Sequence, residues 1–239
     1  RDRALAGESV AWKVLSSLTT EVGGRPVGSP AMTKAKEWAL STLTALGFQK
    51  VHAEAFTKKD AWLRGPESAT LTAPYTTPLS ILGLGNSPAT PAGGIEAEVT
   101  VFPSFEALVL APPGSLRGRI AVVNQPMART QTGEGYGAAV KARSAGPGVA
   151  EERGAVAYLT RSIATGDNRA PHTGATGYGG PTGHIPSAAL GIADADLLSR
   201  LAARGTVRLR LSMTPTIVPE APAWNISGEL PGKDPKAGV

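Results

Sequence analysis

Two of the three histidines in this 239-residue chain, His172 and His184, lie in the glycine-rich stretch RAPHTGATGYGGPTGHIP (169–186). Histidine is the most common metal ligand in proteins, so a metal site is the first chemistry to test. Zinc sites use three or four ligands, often with the short spacing of H-E-x-x-H on a helix. That motif is absent, and Asp167 is the sole carboxylate near the stretch. We therefore predict a loop with a turn at 171–174, held by side-chain hydrogen bonds, and no metal ligand.

The sequence carries no complete motif for other common catalytic chemistries. There is no cysteine and no G-x-S-x-G sequence, so neither a thiol nor a hydrolase serine is indicated. The stretch GEGYGAA (133–139) approaches a dinucleotide fingerprint, but it does not directly follow the buried strand predicted at 119–123. Glu151 and Glu152 are adjacent, and on a helix they point about 100° apart, so they cannot share a proton. The residues alone predict no catalytic, metal-binding or cofactor-binding position.

The composition indicates a folded globular protein with many turns. Hydrophobic residues make up 41% of the chain, which excludes a disordered composition, and 29 glycines and 20 prolines predict long loops and much β structure. No apolar run is long enough to span a bilayer. The net charge of +5 arises from arginines scattered through residues 117–210. They lack interleaved aromatic side chains that stack on bases, so no nucleic-acid partner is predicted.

The hydrophobic periodicity changes along the chain. Residues 9–22 and 31–46 repeat apolar side chains at helical spacing, and a strand is predicted at 48–56. From about residue 61 onward, short strands alternate with turn clusters and short helices. A final strand at 224–232 has no partner among its sequence neighbours, which indicates that a middle unit interrupts an α/β domain.

Four details of the later part are also predicted. EALVLAP (106–112) is assigned to a strand, and a helix over 137–145 is expected to end at the breaker Gly146–Gly148. Asp194 or a neighbour is a candidate N-cap for the helix DADLLSRLAARG (194–205). The stretch TPTIVPEAPAW (214–224) is interpreted as a proline-rich linker.

Seven segments in chain order carry a family resemblance. They are LTTEVGGRPVGSPAMTKAKEWALSTLTALGF (18–48), GIEAEVTVF (94–102), LRGRIAVVN (116–124), ERGAVAYLTRS (152–162), PHTGATGYG (171–179), IPSAALGIADADLLSRLAARG (185–205) and WNISGELPG (224–232). Together they resemble M28-type zinc peptidases of the carboxypeptidase Q branch, in which a protease-associated (PA) domain is inserted into the peptidase domain. The resemblance extends over nearly the whole chain.

The resemblance implies an α/β peptidase domain interrupted by a β-rich α+β PA domain. Residues 1–60 would hold the helices and first strand of the peptidase domain, and residues 61–214 the PA domain. Residues 215–239 would return to the peptidase domain, whose sheet is then incomplete in this chain. In this family two zinc ions activate a water and a glutamate takes its proton. The first zinc ligands lie in a G-H-x-D motif beyond the returning strand, and no such motif occurs before Val239.

We therefore expect a longer parent protein that is a di-zinc exopeptidase of the aminopeptidase or dipeptidase type, and a fragment that is inactive and binds no zinc. By the same resemblance, the PA domain caps the peptidase domain and shapes access for a peptide substrate. The loop with His172, Thr173 and Tyr178 is expected to border the substrate entrance. The alternative is a non-catalytic PA-type interaction module or an inactive relative.

Two further expectations concern association and location. The helices at 9–22 and 31–46 would lack cover for apolar faces that include Trp38 and Leu43, so we expect a homo-oligomer through these helices. The resemblance implies an exported protein, secreted or periplasmic. The first ten residues contain no apolar signal core, so the export signal is expected to be absent from this sequence.

Overall fold

The computed structural model describes Asp2, residues 9–178 and residues 184–232. It divides the chain into two compact units. Unit 1 combines residues up to 63 with residues from 217 onward, and unit 2 is the continuous segment 64–216. The domain boundaries predicted from the sequence lie at residues 60 and 214. The assignment of the middle segment as a PA domain stays a prediction.

The elements follow one another as helices and strands of mixed length. In chain order they are α1 (Val10–Ser17) with a π-helical continuation (Leu18–Val22), α2 (Pro30–Ala45), β1 (Gln49–Leu63), β2 (Glu67–Ala73), β3 (Thr77–Leu79), β4 (Ile81–Gly83), β5 (Ile95–Phe102), α3 (Phe105–Val109), β6 (Ile120–Val123), α4 (Glu134–Ser144), α5 (Gly146–Glu152), β7 (Ala157–Arg161), β8 (Ser187–Leu190), α6 (Ile192–Ala202), β9 (Arg208–Met213) and β10 (Thr216–Glu229).

Unit 1 contains α1, α2 and a two-stranded sheet in which β1 pairs with β10. The strand without a sequence-local partner therefore pairs with the strand that precedes unit 2. The predicted linker at 214–224 is wrong, because β10 runs without interruption from Thr216 to Glu229. Pro219 and Pro222 cannot donate a backbone hydrogen bond, and a strand tolerates this where one of its edges is unpaired. In a two-stranded sheet every strand has such an edge.

The helices of unit 1 pack loosely. Neither α1 nor α2 contains a buried residue among those described. Trp38 and Leu43, predicted to lack cover, are half-buried, and the Trp38 indole donates a hydrogen bond to Ser17 Oγ at 2.8 Å. Trp12 is 68% exposed, which is far more than a core tryptophan allows. The apolar side of α1 is thus open to solvent in the described part of the chain.

Unit 2 is built on an eight-stranded sheet in the order β3-β2-β9-β5-β6-β7-β8-β4, counted over the described residues. Strands β5, β6, β7 and β8 run parallel, and the other pairings are antiparallel. The connection from β5 to β6 contains α3, and that from β6 to β7 contains α4 and α5, as is usual for parallel strands. The connection from β7 to β8 is a long loop whose described residues form no helix. The chain therefore has the predicted mixed α/β fold, whereas the inserted PA domain and the incomplete peptidase sheet stay predictions.

Two apolar clusters cover the two faces of this sheet. Ile120 and Val122 point into one cluster together with Leu198 of α6. Ala121 and Val123 point into the other, against α3, α4 and α5. All four residues of β6 are fully enclosed. A parallel strand with helices on both faces has this unbroken apolar sequence, in contrast to the alternation of β9.

Two of the predicted elements of unit 2 are wrong, and both errors have a local cause. The predicted strand at 106–112 is mostly the helix α3, which begins because Ser104 Oγ accepts a hydrogen bond from the Ala107 N–H at 3.2 Å. The predicted breaker Gly146–Gly148 begins the helix α5. Proline lacks an N–H, and the first turn of a helix needs none there, so Pro147 starts a helix as readily as it ends one.

Candidate functional site

The candidate site is the loop between β7 and β8, described up to residue 178 and again from residue 184. It leaves the sheet at the carboxyl end of β7. In open α/β sheets, ligands commonly bind beyond the carboxyl ends of parallel strands. The position of the loop in the fold is therefore consistent with a binding role, and its side chains decide what it can contact.

The first half of the loop is fixed by hydrogen bonds to the segment that follows β4. The Gly85 N–H donates to the Gly174 carbonyl at 2.9 Å, and the Thr176 N–H donates to the Gly85 carbonyl at 3.0 Å. Asn86 Nδ2 donates to the Thr176 carbonyl at 3.0 Å. The loop is thus held like a short parallel strand, and it presents a defined surface.

His172 is the one predicted entrance residue whose side chain is exposed. Its backbone N–H donates to Ser162 Oγ at 2.8 Å, and Ser162 Oγ donates to the Leu190 carbonyl at 2.6 Å. The imidazole lies edge-on to the ring of Tyr136, with ring centroids 6.3 Å apart. The backbone of His172 is therefore anchored to β8 while its ring remains available.

Thr173 and Tyr178 use their hydroxyls inside unit 2. Thr173 Oγ1 donates to the Gly83 carbonyl at 2.8 Å. Tyr178 is 7% exposed, and its hydroxyl donates to the Ile185 carbonyl at 2.7 Å. Burial raises the pKa of the Tyr178 phenol, so it remains protonated at neutral pH. Both residues hold the loop in place, whereas His172 presents its side chain.

His184 closes the same loop on the other side. Its ring stacks on Tyr178 with centroids 4.2 Å apart, and its Nδ1 lies 3.9 Å from Glu151 Oε2. Burial raises the pKa of the Glu151 carboxyl, and the nearby His184 opposes that effect. His184 therefore packs against α5 in addition to leading into β8, as the sequence indicates.

Arg143 belongs to this site and was not predicted from the sequence. Its Nη2 donates to Tyr136 Oη at 2.7 Å, and its guanidinium carbon lies 5.6 Å from the centroid of the Tyr136 ring. A Cβ on Gly174 would lie 2.6 Å from that carbon, so the loop rests directly on the guanidinium. Tyr136, Arg143 and His172 thus form one surface cluster, which we call the Arg143 cluster.

Two other arginines form ion pairs near the carboxyl ends of the strands. Arg161 bonds to Asp196 and, at 2.9 Å, to Asn124 Oδ1. Arg169 makes a two-pronged contact with Asp194, with Nε and Nη2 each 3.1 Å from a carboxylate oxygen. Asp194 also accepts a hydrogen bond from the Ser80 N–H at 2.7 Å. Asp194 therefore fastens the loop to α6, and Gly191 is the N-cap of that helix.

The described residues contain no set of metal ligands. No group of three or more His, Cys, Asp or Glu side chains lies close enough together to hold an ion in residues 9–178 and 184–232. Among the same residues, no helix is both long enough and apolar enough to cross a bilayer. The polar clusters of unit 2 are suited to contact a ligand by charge and hydrogen bonds.

Comparison with known proteins identifies the family. Carboxypeptidase Q of Bos taurus is 37% identical over 219 residues, which cover 91% of this chain and 45% of that protein. The crystal structure of a peptidase M28 precursor from Shewanella amazonensis SB2B is 35% identical, with a TM-score of 0.86 over 94% of this chain and 51% of that chain. The chain belongs to the carboxypeptidase Q-like M28 peptidases. The resemblance predicted from the seven segments is confirmed.

A more distant structure shares the fold of this M28 member. BSAP, a zinc aminopeptidase from Bacillus subtilis, is 19% identical with a TM-score of 0.60, and the match covers 95% of this chain and 48% of that chain. No model of a protein family matches the sequence. The chain spans about half the length of the curated relatives that it matches.

Proposed function

We propose that this chain is the N-terminal part of a zinc-dependent M28 exopeptidase that hydrolyses peptide bonds. The identity to carboxypeptidase Q over 91% of the chain is the observation that carries the proposal. The names of the relatives, carboxypeptidase and aminopeptidase, have the hydrolysis of a terminal peptide bond in common. Because the match covers less than half of the curated relative, the activity is proposed for the whole protein.

The zinc ions of this proposal do not fit the described residues of this chain. His172 lies against Tyr136, His184 lies against Tyr178, and neither is part of a cluster of three ligands. We infer that the metal ligands and the catalytic carboxylate are supplied from outside residues 9–178 and 184–232. The 239-residue chain by itself is therefore expected to be inactive.

The test compares two proteins under the same conditions. The full-length gene product and the 239-residue chain are each freed of metal with a chelator, supplied with zinc, and assayed on a panel of dipeptides. We expect zinc-restored hydrolysis by the full-length protein and none by the shorter chain. Absence of metal-dependent hydrolysis in both would favour the alternative, a non-catalytic interaction module. Hydrolysis by the shorter chain would contradict the proposed location of the active site.

We further propose that unit 2 is the PA domain of this enzyme and that it shapes access to the active site. The fixed loop supports this proposal, since a rim that selects substrates has to keep its shape. In the full-length enzyme, His172→Ala is expected to raise KM for the peptide and leave kcat unchanged. Thr173 and Tyr178 act on the entrance only through the loop. Unchanged kcat/KM in His172→Ala would contradict the entrance role.

The proposed partners and location follow from the same assignment. The substrate is a peptide, and the protein is proposed to be secreted or periplasmic. Unit 1 has an apolar cleft of about 180 Å³, lined in part by Met32, Trp38 and Trp224. We propose that in the 239-residue chain a second copy covers this cleft together with the exposed apolar side of α1, which includes Trp12, because exposed apolar surface promotes association.

A further inference from the structure

Arg143 has two guanidinium nitrogens without a partner. Its Nε and Nη1 are enclosed and form no hydrogen bond in the described part of the chain. Buried polar atoms in folded proteins are nearly always paired, so these two unpaired nitrogens leave the charge of Arg143 less compensated by the protein than is usual. The third nitrogen, Nη2, lies at the exposed edge and donates to Tyr136 Oη.

Arg143 also differs in its charge environment from the other partly buried arginines of unit 2. Arg64, Arg119, Arg153 and Arg161 each contact a carboxylate. No carboxylate of the described residues lies within ion-pair distance of Arg143, and the sequence between Asp167 and Asp194 has no acidic residue. A partly buried cation without a counter-charge destabilises its surroundings unless an anion compensates it.

The surroundings of Arg143 favour an anion. The Tyr136 hydroxyl accepts from Nη2, so its own hydrogen remains free to be donated. The exposed ring of His172 lies edge-on to Tyr136, with ring centroids 6.3 Å apart. Enclosure of Nε and Nη1 keeps water from the guanidinium and therefore strengthens its attraction for a negative group at the open edge.

We propose that the Arg143 cluster binds a carboxylate group. The carboxylate accepts from Arg143 Nη2 in place of the phenol oxygen and accepts a second hydrogen bond from the Tyr136 hydroxyl. Arg143 supplies the charge, and Gly174 allows the loop to lie against the guanidinium. The identity of the ligand as a peptide carboxylate rests on the proposed function. Its source is either a free C-terminus or an acidic side chain.

Binding is tested by NMR on the 239-residue chain with ¹⁵N-labelled arginine. The Nε–Hε signal of Arg143 is assigned by its loss in Arg143→Lys. N-acetylalanine offers an α-carboxylate, N-acetylaspartic acid α-amide offers a side-chain carboxylate, and N-acetylalanine amide is the neutral probe. We expect a saturable shift with at least one of the two carboxylates and none with the amide, and the responding probe identifies the source. No saturable shift with either carboxylate, or an equal shift with the amide, overturns the proposal.

Two variants separate binding from folding. Tyr136→Phe keeps the ring and removes the hydroxyl, so the affinity for the carboxylate is expected to fall about tenfold, as for loss of a hydrogen bond to a charged group. Arg117→Lys changes an exposed arginine elsewhere in unit 2 and is expected to leave the affinity unchanged. Equal affinity for the carboxylate in Tyr136→Phe and in the unsubstituted chain would contradict the proposed geometry. Because the experiment needs no hydrolysis, its failure would leave the peptidase assignment untouched, and failure of the peptidase assay would leave carboxylate binding standing.

Discussion

The two units of this chain differ in how they treat apolar side chains. In unit 2, Leu209 and Leu211 of β9 are completely enclosed, and helices cover the parallel strands on both faces. In unit 1, the helices α1 and α2 have no buried residue, and Trp12 and Leu15 of α1 are 68% and 53% exposed. Both units have helices with a clear apolar side, but among the described residues only the helices of unit 2 bury that side.

This difference indicates where the stability of the chain resides. Burial of apolar surface contributes roughly 25 cal/mol for each Å² removed from water and is the main term that offsets chain entropy. Unit 2 removes large side chains from water completely. Unit 1 encloses only small ones among its described residues, namely Ala61, Ala221 and Ala223. We expect unit 2 to fold independently and unit 1 to need further contacts for its stability.

The aromatic residues allow the two units to be followed separately. All four tryptophans, at positions 12, 38, 62 and 224, belong to unit 1. All four tyrosines, at positions 75, 136, 158 and 178, belong to unit 2. Tryptophan fluorescence therefore reports on unit 1, and near-ultraviolet circular dichroism of tyrosine reports on unit 2.

The largest effect is expected from the core of unit 2. Leu209→Ala leaves a cavity in a fully enclosed position, and such changes lower the free energy of unfolding by about 2–5 kcal/mol. Leu15→Ala removes the same atoms from an exposed position in α1 and should change the free energy of unfolding by less than about 0.5 kcal/mol. Urea unfolding followed by the tyrosine signal for the first and the tryptophan signal for the second checks both. Similar losses of unfolding free energy in the two variants would contradict the proposed difference between the units.

The next effect concerns how closely unit 2 is packed. A Cβ on Gly148 would lie 1.8 Å from the Tyr178 carbonyl oxygen, so Gly148→Ala forces backbone apart and should lower the free energy of unfolding by about 1–3 kcal/mol. Gly137 lies in α4 with no atom near that position, and Gly137→Ala should stabilise the helix by about 0.5–1 kcal/mol. Thermal unfolding followed by the tyrosine signal measures both. A stabilising Gly148→Ala would contradict the described contact between α5 and the loop.

A smaller effect is expected in solution association. If a second copy covers α1, Trp12→Ser should weaken self-association about tenfold, because a large apolar side chain contributes about 1.5–3 kcal/mol on burial. Tyr75→Ser alters an aromatic residue of unit 2 that is 47% exposed and serves as the matched control. Sedimentation velocity at several concentrations gives the dissociation constants. If the unsubstituted 239-residue chain is monomeric at all concentrations, the proposal that a second copy covers unit 1 is wrong.

The smallest effect is a dependence on pH. Burial raises the pKa of Glu151 above the ordinary value of 4.5, so the folded state binds its proton more tightly than the unfolded state does. Ionisation of Glu151 therefore lowers the stability of unit 2 as pH rises from 4.5 through the raised pKa. Glu151→Gln should remove this loss and stabilise unit 2 above that window by less than about 0.5 kcal/mol. Urea titrations at pH 4 and pH 7 test the sign, with the exposed Glu152→Gln as control.

The sequence predicts the fold best where one periodicity persists for several turns or residues. The helices at 9–22 and 31–46 and the alternating strand β9 have such patterns, and the structure contains all three. Short segments are less determined, as α3 demonstrates. Its apolar run fits a strand or a helix equally well, and the hydrogen bond from the Ala107 N–H to Ser104 Oγ decides between them. The first half of β10 was assigned to a linker because its prolines indicate a break and its partner β1 is distant in sequence.

The candidate site was predictable only in part. The composition of the loop drew attention to His172, Thr173 and Tyr178, but it could not separate the exposed imidazole from the buried phenol. Arg143 was missed because its unusual environment depends on the loop that crosses it. One signal was present: Tyr136 directly precedes the helix predicted over 137–145. It lies seven residues, about two turns, from Arg143, which places the two on the same side if the helix begins earlier, as α4 does.

The two ends of unit 2 lie next to each other, and this has a consequence for the order of folding. Glu67 of β2 pairs with Met213 of β9, and the Thr214 N–H donates to the Pro66 carbonyl at 3.0 Å, so the two ends of the segment meet. Joining residues roughly 150 positions apart costs about 4 kcal/mol of chain entropy on a logarithmic scale. Once unit 2 has folded, the chain between β1 and β10 is already closed. Pairing of the two strands then requires little further loss of chain entropy. The small sheet of unit 1 should therefore form late, after unit 2 has folded.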